Sequence, residues 1–170
     1  NFLHGLPHWA VSIALEHNGQ IIAGVVFDAC KDELFIAEKG KGAWMNDRRI
    51  RVSDRHRMTE SVYATGFPFA GRSDLPATLR DLAQILPACA GVRRWGAASL
   101  DLAYVAAGRY DGFWERGSNF WDIAGGLIIA REAGALIEGM TKATKPEESG
   151  NVICATEVQF EQLSKLIRSS

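Results

Sequence analysis

Residues Asn119–Gly134 read NFWDIAGGLIIAREAG, and the rest of the chain must fold around them. At a helical repeat, Ile123, Ala124, Leu127, Ile128, Ile129 and Ala133 cover most of the circumference, which makes this a buried helix with almost no solvated face. Gly125 and Gly126 each cost about 1 kcal/mol relative to alanine in a helix interior. Close approach of another backbone is the usual reason for such a pair. Asn119 is a good N-cap, so Asp122 falls at the third helical position. There a carboxylate can reach back to the capping N–H and meets the positive end of the helix dipole. Caps are far commoner than metal ligands, and spacing alone favours the capping role for Asp122.

Elements able to cover that helix lie on both sides of it in sequence. Upstream, WAVSIALEHNGQIIAGVVFDA, Trp9–Ala29, is two β-rich runs joined at Asn18-Gly19, the strongest short hairpin signal. Short strands follow at Leu34–Ala37, Ala43–Met45 and, after a turn at Asn46-Asp47, Ile50–Val52. The first fifty residues therefore read as an antiparallel meander. Beyond Thr59 the texture becomes alternating. A strand at Val62–Thr65 is followed by a helix from Asp74 to Leu86, a strand at Val92–Arg94, a helix over Ala97–Ala107 and a strand at Gly112–Glu115. Past the buried helix come strands at Ala135–Ile137 and Val152–Ala155 and a last helix, Glu157–Ile167. This alternation implies a sheet with helices against it. The boundary between the two textures falls near Ser53–Glu60, dividing the chain into 1–58 and 59–170.

Composition fits a soluble cytoplasmic protein. The 170 residues are 47% hydrophobic and 23% charged, and 19 Lys plus Arg against 20 Asp plus Glu leave a net charge of −1. That balance offers no global field for nucleic acid or an anionic membrane. The three cysteines, Cys30, Cys89 and Cys154, lack any C-x-x-C pair. They argue against a disulfide framework or a zinc site and read as buried or inert thiols. No apolar run approaches the roughly 18 residues of a membrane span, and no signal peptide opens the chain.

A second helix start, RRWGAASLDLAYVAAG, offers Gly96, Ala97 and Ala98, whose free backbone N–H groups have no bulky side chains in the way and could receive an oxygen-rich ligand. Gly108 is a reasonable residue to close that helix. Small residues also start helices that merely pack tightly, so alone the motif is weak. In YDGFWERG, Glu115 stands at the end of a short aromatic strand, where a lone Glu is more often solvated than functional. HGLPH spaces His4 and His8 four apart, but Gly5 and Pro7 forbid the helix that would bring both rings to one metal. RRIRVSDRHR, Arg48–Arg57, is a basic cluster balanced by Asp47 and Asp54, without the interleaved aromatics of a stacking surface. EKGKGAW has glycines at the wrong spacing for a P-loop.

NFLHGLPHWAVSIAL, AEKGKGAWMN, TGFPF, GAASLDLAYVAAGRYDGFWE and WDIAGGLIIAREAG together resemble, in order and separation, the inositol monophosphatase family of Mg²⁺-dependent, lithium-sensitive phosphatases. The resemblance spans nearly all 170 residues. It implies a layered α+β sandwich, usually dimeric. It also implies that Asp122 is a metal ligand orienting the attacking water, while Glu115 and the backbone N–H of Ala98, beside Ala97 and Gly96, hold substrate hydroxyls. Many relatives carry Ser or Thr where this chain has Ala97, so one hydroxyl contact is absent. The family's Asp-Pro-hydrophobic-Asp-Gly-Thr loop belongs immediately before Asn1, with a further Glu upstream, and neither is in this sequence. Since Mg²⁺ recruits several oxygen ligands, the 170 residues are expected to be roughly the carboxy-terminal two-thirds of a phosphatase, inactive alone.

The implied substrate is a small polyol or sugar phosphate, with inositol 1-phosphate leading. Fructose 1,6-bisphosphate, histidinol phosphate and adenosine 3′,5′-bisphosphate are hydrolysed by relatives of the same type. Glu115 favours a polyol, because a carboxylate accepts hydroxyl hydrogen bonds and repels a second phosphate. From another class comes an interaction module: some bacterial relatives bind RNA polymerase or antitermination complexes, for which the Arg48–Arg57 cluster would be the contact. The plainest alternative is a folding remnant with no function of its own.

Overall fold

The computed structural model describes residues 1–67 and 75–168. Asp74, the expected start of a helix, and Pro68 and Phe69 of TGFPF lie outside the described residues.

The first fifty residues form one antiparallel sheet in sequence order: β1 (Val11–His17), β2 (Gln20–Asp28), β3 (Glu33–Glu38), β4 (Gly42–Met45) and β5 (Arg48–Ile50). Asn18 and Gly19 take φ of 51° and 73°, the left-handed pair that a two-residue hairpin with the native strand twist requires. Asn46 and Asp47 repeat the device with φ of 44° and 63°. That tight turn starts β5 at once, two residues earlier than the sequence pattern suggests. Val52 leaves the sheet, its N–H donating to the Ala133 carbonyl at 3.1 Å.

The second sheet is mixed. β6 (Val62–Thr65), β7 (Gly91–Arg93), β8 (Gly112–Glu115), β9 (Leu136–Glu138) and β10 (Val152–Ala155) lie in the order β7-β6-β8-β10-β9. β6 runs parallel to β7 and β8, whereas β10 is antiparallel to β8 and β9. Parallel neighbours need crossovers. α1 (Leu75–Ile85) carries the chain from β6 to β7, and α2 (Ala98–Ala106) from β7 to β8. α3 (Phe120–Glu132) follows β8, the short α4 (Pro146–Ser149) precedes β10, and α5 (Glu157–Arg168) ends the described chain.

Burial sorts these elements into layers. α3 packs on β1, β2 and β3 with one side and on α2 with another, while α2 also meets β8 and β6. The central core joins Val26 and Phe35 of the first sheet to Leu100, Leu102, Ile123, Leu127 and Ile129 of the two helices and to Phe113 of the second sheet. On the far side of the second sheet, Tyr63, Trp114 and Ile153 pack with Ile85 of α1 and Phe160, Leu163 and Ile167 of α5. The architecture is the layered α+β sandwich, with α2 and α3 between two sheets.

The glycine pair in α3 has the tight packing its sequence demanded. A Cβ on Gly125 would sit 2.9 Å from Ser12 Oγ and 3.1 Å from the Ile13 carbonyl, and one on Gly126 would sit 2.7 Å from Leu102 Cβ. Gly125 thus lets α3 lie on the first sheet, and Gly126 lets it lie on α2. A third glycine completes the contact from the other side: a Cβ on Gly24 of β2 would come within 2.8 Å of the Gly125 carbonyl. The three cysteines are free; Cys154 is buried and Cys89 half-buried, but Cys30, expected among the buried or inert thiols, is exposed in the turn between β2 and β3. No helix among the described residues is long and apolar enough to cross a membrane.

Candidate functional site

Asp122 stands in the first turn of α3 with Asn119 at the N-cap position. The expected capping arrangement does not form. Asn119 makes no side-chain cap bond; its amide instead donates to Asp122 Oδ2 at 3.1 Å. The side chain of Asp122 is exposed, so the helix end carries a carboxylate that capping has not consumed. Trp121 beside it is 71% exposed, which marks this end of an otherwise buried helix as a surface feature. Ser118, one residue before the cap, is buried with a hydroxyl that finds no partner among the described residues.

The second helix start lies across from it. Gly96 adopts φ +80°, a left-handed conformation that favours glycine. Ala97 is the N-cap of α2 without a side-chain bond, leaving the N–H groups of the first turn without intrahelical partners. The other end closes as expected, Gly108 taking φ +69° and donating its N–H to the Val105 carbonyl at 3.0 Å.

Glu115 ends β8 and is half-buried. Its carboxylate lies against the backbone of Gly66, where any Cβ would overlap it. The next residue, Arg116, is fixed by a two-point ion pair with the fully buried Asp81, at 2.8 and 2.9 Å. The strand end carrying Glu115 is therefore pinned to α1.

Sequence reasoning missed Asp101. It sits in the first turn of α2 at 1% exposure, with Oδ1 unpartnered among the described residues. Burial first, then the negative charge of Glu115, push its carboxyl well above the usual carboxylate range, against a smaller opposite pull from Arg94. The signal was a charged residue inside the apolar run AASLDLAYVAA, where only a special environment keeps an Asp buried. Gly66 was likewise legible only as part of TGFPF.

Asp122, Glu115, Ala98, Ala97 and Gly96 all line one cavity of about 540 Å³, which Asn1, Trp9 and Arg94 also border. The structure thus brings every sequence-identified residue to a single concavity between the amino ends of α2 and α3. A larger cavity of about 820 Å³ opens beside the other end of α3, lined by Ile128, Arg131 and Glu147. It holds none of those residues, and its Arg131 is paired with Glu147 at 2.5 Å, so the smaller cavity is the better site.

As a metal centre the cavity is partial. No three His, Cys, Asp or Glu side chains converge among the described residues. Asp122, an exposed hard-oxygen donor on a rigid helix end, fits as one ligand of Mg²⁺, but Mg²⁺ requires further oxygens to complete its shell.

The motifs set aside earlier find other roles. His4 is exposed, whereas His8 is buried with its ring tilted against Trp95 at 5.3 Å. Burial and the nearby Lys31 hold the His8 imidazole below its ordinary value, against the opposite pull of Asp28. In EKGKGAW, the N–H groups of Gly40 and Gly42 donate to the two Glu132 oxygens, each at 2.9 Å; α3 fills that loop with its own anion. In the basic cluster, Arg55 pairs with the buried Asp111 at 3.0 Å and Arg57 with Glu60, rather than with Asp47 or Asp54. Arg48, Arg49 and Arg51 are exposed.

Comparison with known proteins shows what the chain and its fold are similar to. The chain is 48% identical over 168 residues to an inositol-1-monophosphatase of Rhizobium meliloti, covering 99% of this chain and 63% of that protein. It is 43% identical over 170 residues to the Nus factor SuhB of Pseudomonas aeruginosa, again covering 99% and 63%. Its fold superposes on the extragenic suppressor protein suhB from Bartonella henselae with a TM-score of 0.95 at 44% identity, covering 100% of this chain and 65% of that one. The inositol monophosphatase from Anabaena gives a TM-score of 0.94 at 36% identity, covering 99% and 70%. The chain thus spans 63% of the length of these two curated relatives. With a family model matching residues 1–170 from end to end, the chain belongs to the inositol monophosphatase family.

Proposed function

We propose that the protein containing this chain hydrolyses the phosphate monoester of a small polyol, with inositol 1-phosphate as the leading substrate and Mg²⁺ as cofactor. The observation that carries the reading is that Asp122, Glu115, Ala97 and Ala98, from three different elements, line one cavity. Asp122 would hold Mg²⁺ together with ligands outside the described residues. When bound, the ion neutralises phosphoryl oxygens and lowers the pKa of a water nucleophile.

The chain's own groups divide the remaining work. The N–H groups at the start of α2 would donate to the hydroxyl or ester oxygen of the alcohol, aided by the positive end of the helix. Glu115 would accept from the sugar hydroxyls, and its charge disfavours a second phosphate there, which speaks against fructose 1,6-bisphosphate and adenosine 3′,5′-bisphosphate. Trp9 and Trp121 at the rim restrict access of bulk water. A homodimer, the family's habit, is part of the same proposal.

Phosphate release by the complete protein tests the reading. Inositol 1-phosphate is expected to be cleaved in the presence of Mg²⁺ and inhibited by Li⁺. Asp122→Asn should lower kcat/KM by about 100-fold or more while changing stability by less than about 1 kcal/mol, the worth of a carboxylate at a helix end. Full activity in Asp122→Asn would overturn it, whereas full activity in the 170-residue polypeptide alone would overturn only the expectation that further metal ligands are required.

A second reading has its own support, since relatives at 43% and 41% identity carry the name Nus factor SuhB and Arg48, Arg49 and Arg51 project from the β5 segment unburied. In it the β5 face contacts RNA polymerase or an antitermination complex. Reversing the three arginines to Glu should abolish co-purification with polymerase; retained binding removes the idea.

A further inference from the structure

Asn1, at the cavity wall, hydrogen-bonds through both its side-chain amide and its main-chain carbonyl. Its side-chain amide donates to the His8 carbonyl at 2.6 Å and to the Trp95 carbonyl at 2.9 Å. Its own main-chain carbonyl receives the N–H groups of His4, at 3.1 Å, and Leu6, at 3.0 Å. One side chain therefore ties the turn that leads into β1 to the turn that leads into α2, 94 positions away. The His8 ring against Trp95 adds an apolar contact between the same two turns.

The second turn is the one that matters for binding. Trp95 precedes Gly96, whose φ of +80° swings the chain into the helix and sets the direction of the next amides. A peptide plane is rigid; anchoring the Trp95 carbonyl anchors the plane that it shares with the Gly96 N–H, and the turn from there to Ala98 is short. Neither Ala97 nor Gly96 has a side chain able to make a cap bond, so α2 has no local device of its own for holding this end. An amide is the group that suits the position: it supplies two donors to two carbonyls, whereas Asp would set its oxygens against them and Ala would leave both unpaired.

We propose that Asn1 is a positioning residue, clamping the Trp95–Gly96 peptide so that the N–H groups of Gly96–Ala98 keep a fixed aim at the alcohol part of the substrate. The inference rests on the phosphatase reading above. It acts on the hydroxyl-binding end of the cavity and leaves the phosphate end, at Asp122, alone.

The experiment compares the complete wild-type protein with Asn1→Asp and Asn1→Ala. Steady-state kinetics with inositol 1-phosphate should show KM raised about five- to tenfold, the worth of one or two hydrogen bonds, with competitive inhibition by inorganic phosphate unchanged. In parallel, ¹⁵N relaxation on the complete protein should show lowered order parameters at Gly96–Ala98 in both variants and no change at the start of α3. An unaltered KM, or phosphate inhibition weakened in step with KM, overturns the proposal, the latter by placing Asn1 at the phosphate end. If the wild type cleaves no phosphate ester, the phosphatase reading falls, and the order parameters alone decide whether the clamp exists.

Discussion

At Asp101 ionisation and burial conflict. A buried carboxyl with its pKa raised well above the ordinary value binds its proton more tightly in the folded state than in the unfolded chain. Stability is then fully present below the unfolded value near 4 and is lost as pH rises through the interval up to the folded value. Asp101→Asn keeps the shape and removes the titration. The variant should match the wild type near pH 4 and become progressively more stable than it towards pH 8, as read from thermal midpoints across that range; a constant difference would exclude titration of Asp101. Asp28 behaves in the opposite sense. Burial pushes its carboxyl up, but the hydrogen bond and charge of Lys31, 2.7 Å away, with the N–H groups of Cys30 and Lys31, outweigh that and hold it below the usual range. Its contribution is present above the unfolded value and fades as pH falls through the folded one. Lys31→Met should therefore weaken the protein at neutral pH by about 2 kcal/mol, the worth of one hydrogen bond to a charged group, since the Cys30 and Lys31 N–H groups still serve the carboxylate, and less at pH 3; equal losses at both would exclude this pairing.

At the scale of elements, three glycines determine how closely α3 can lie to its neighbours. Alanine in a helix interior is worth about 1 kcal/mol over glycine, but overpacking costs about 1–3 kcal/mol, and the identity of the atom in the way decides the sum. At Gly125 the nearest is Ser12 Oγ, which can rotate, whereas at Gly126 it is Leu102 Cβ, which cannot move without its helix. Gly24 faces both the Ile128 side chain, the nearer, and the Gly125 carbonyl, so a Cβ there meets side chain and backbone at once. Denaturant midpoints should therefore fall in the order Gly125→Ala, Gly126→Ala, Gly24→Ala, from least to most damaging. A Gly126→Ala variant as stable as wild type would show that the α2–α3 contact is looser than described. The helix, its burial and its glycine pair were legible from NFWDIAGGLIIAREAG because apolar residues at every angle leave few alternatives. Gly24 was not, since a glycine within IIAGVVF reads the same whether it faces a helix or a gap. Strand ends set by turn chemistry were readable at Asn18-Gly19, while the start of β5 depended on which residues after Asn46 took positive φ. The failed cap at Asn119 shows the limit of spacing arguments: the N-cap position was right, yet the amide turned to a neighbouring carboxylate rather than to the helix.

For the whole molecule, the alternation of strands and helices after Thr59 was enough to expect a sheet with helices against it, but not the order β7-β6-β8-β10-β9, because pairing between distant strands leaves no local trace in the sequence. The site divides the same way. Asp122, Glu115 and Ala98 carried recognisable motifs, whereas the roles of Asp101 and Gly66 arise only when β8, α2 and the residues after β6 meet. The layering also leaves one surface unmatched. The inner face of the first sheet is closed by α3, but on its outer face Val11 is 48% exposed, Ile13 61%, Leu15 57%, Leu34 39% and Ile36 36%. Register places Ile13 opposite Val25 and Val25 opposite Ile36, so these side chains form one continuous patch across β1, β2 and β3. Contiguous apolar area of this kind drives association in water, and β1 adds an unpaired sheet edge beside it. The 170-residue polypeptide should accordingly self-associate as its concentration rises and bind a hydrophobic dye while retaining its circular dichroism. Ile13→Lys with Leu15→Glu should return it to a monomer by light scattering with little change in thermal midpoint, since neither side chain belongs to the core. A wild-type chain that stays monomeric and dye-free at high concentration would mean that this face is not sticky enough to govern its behaviour.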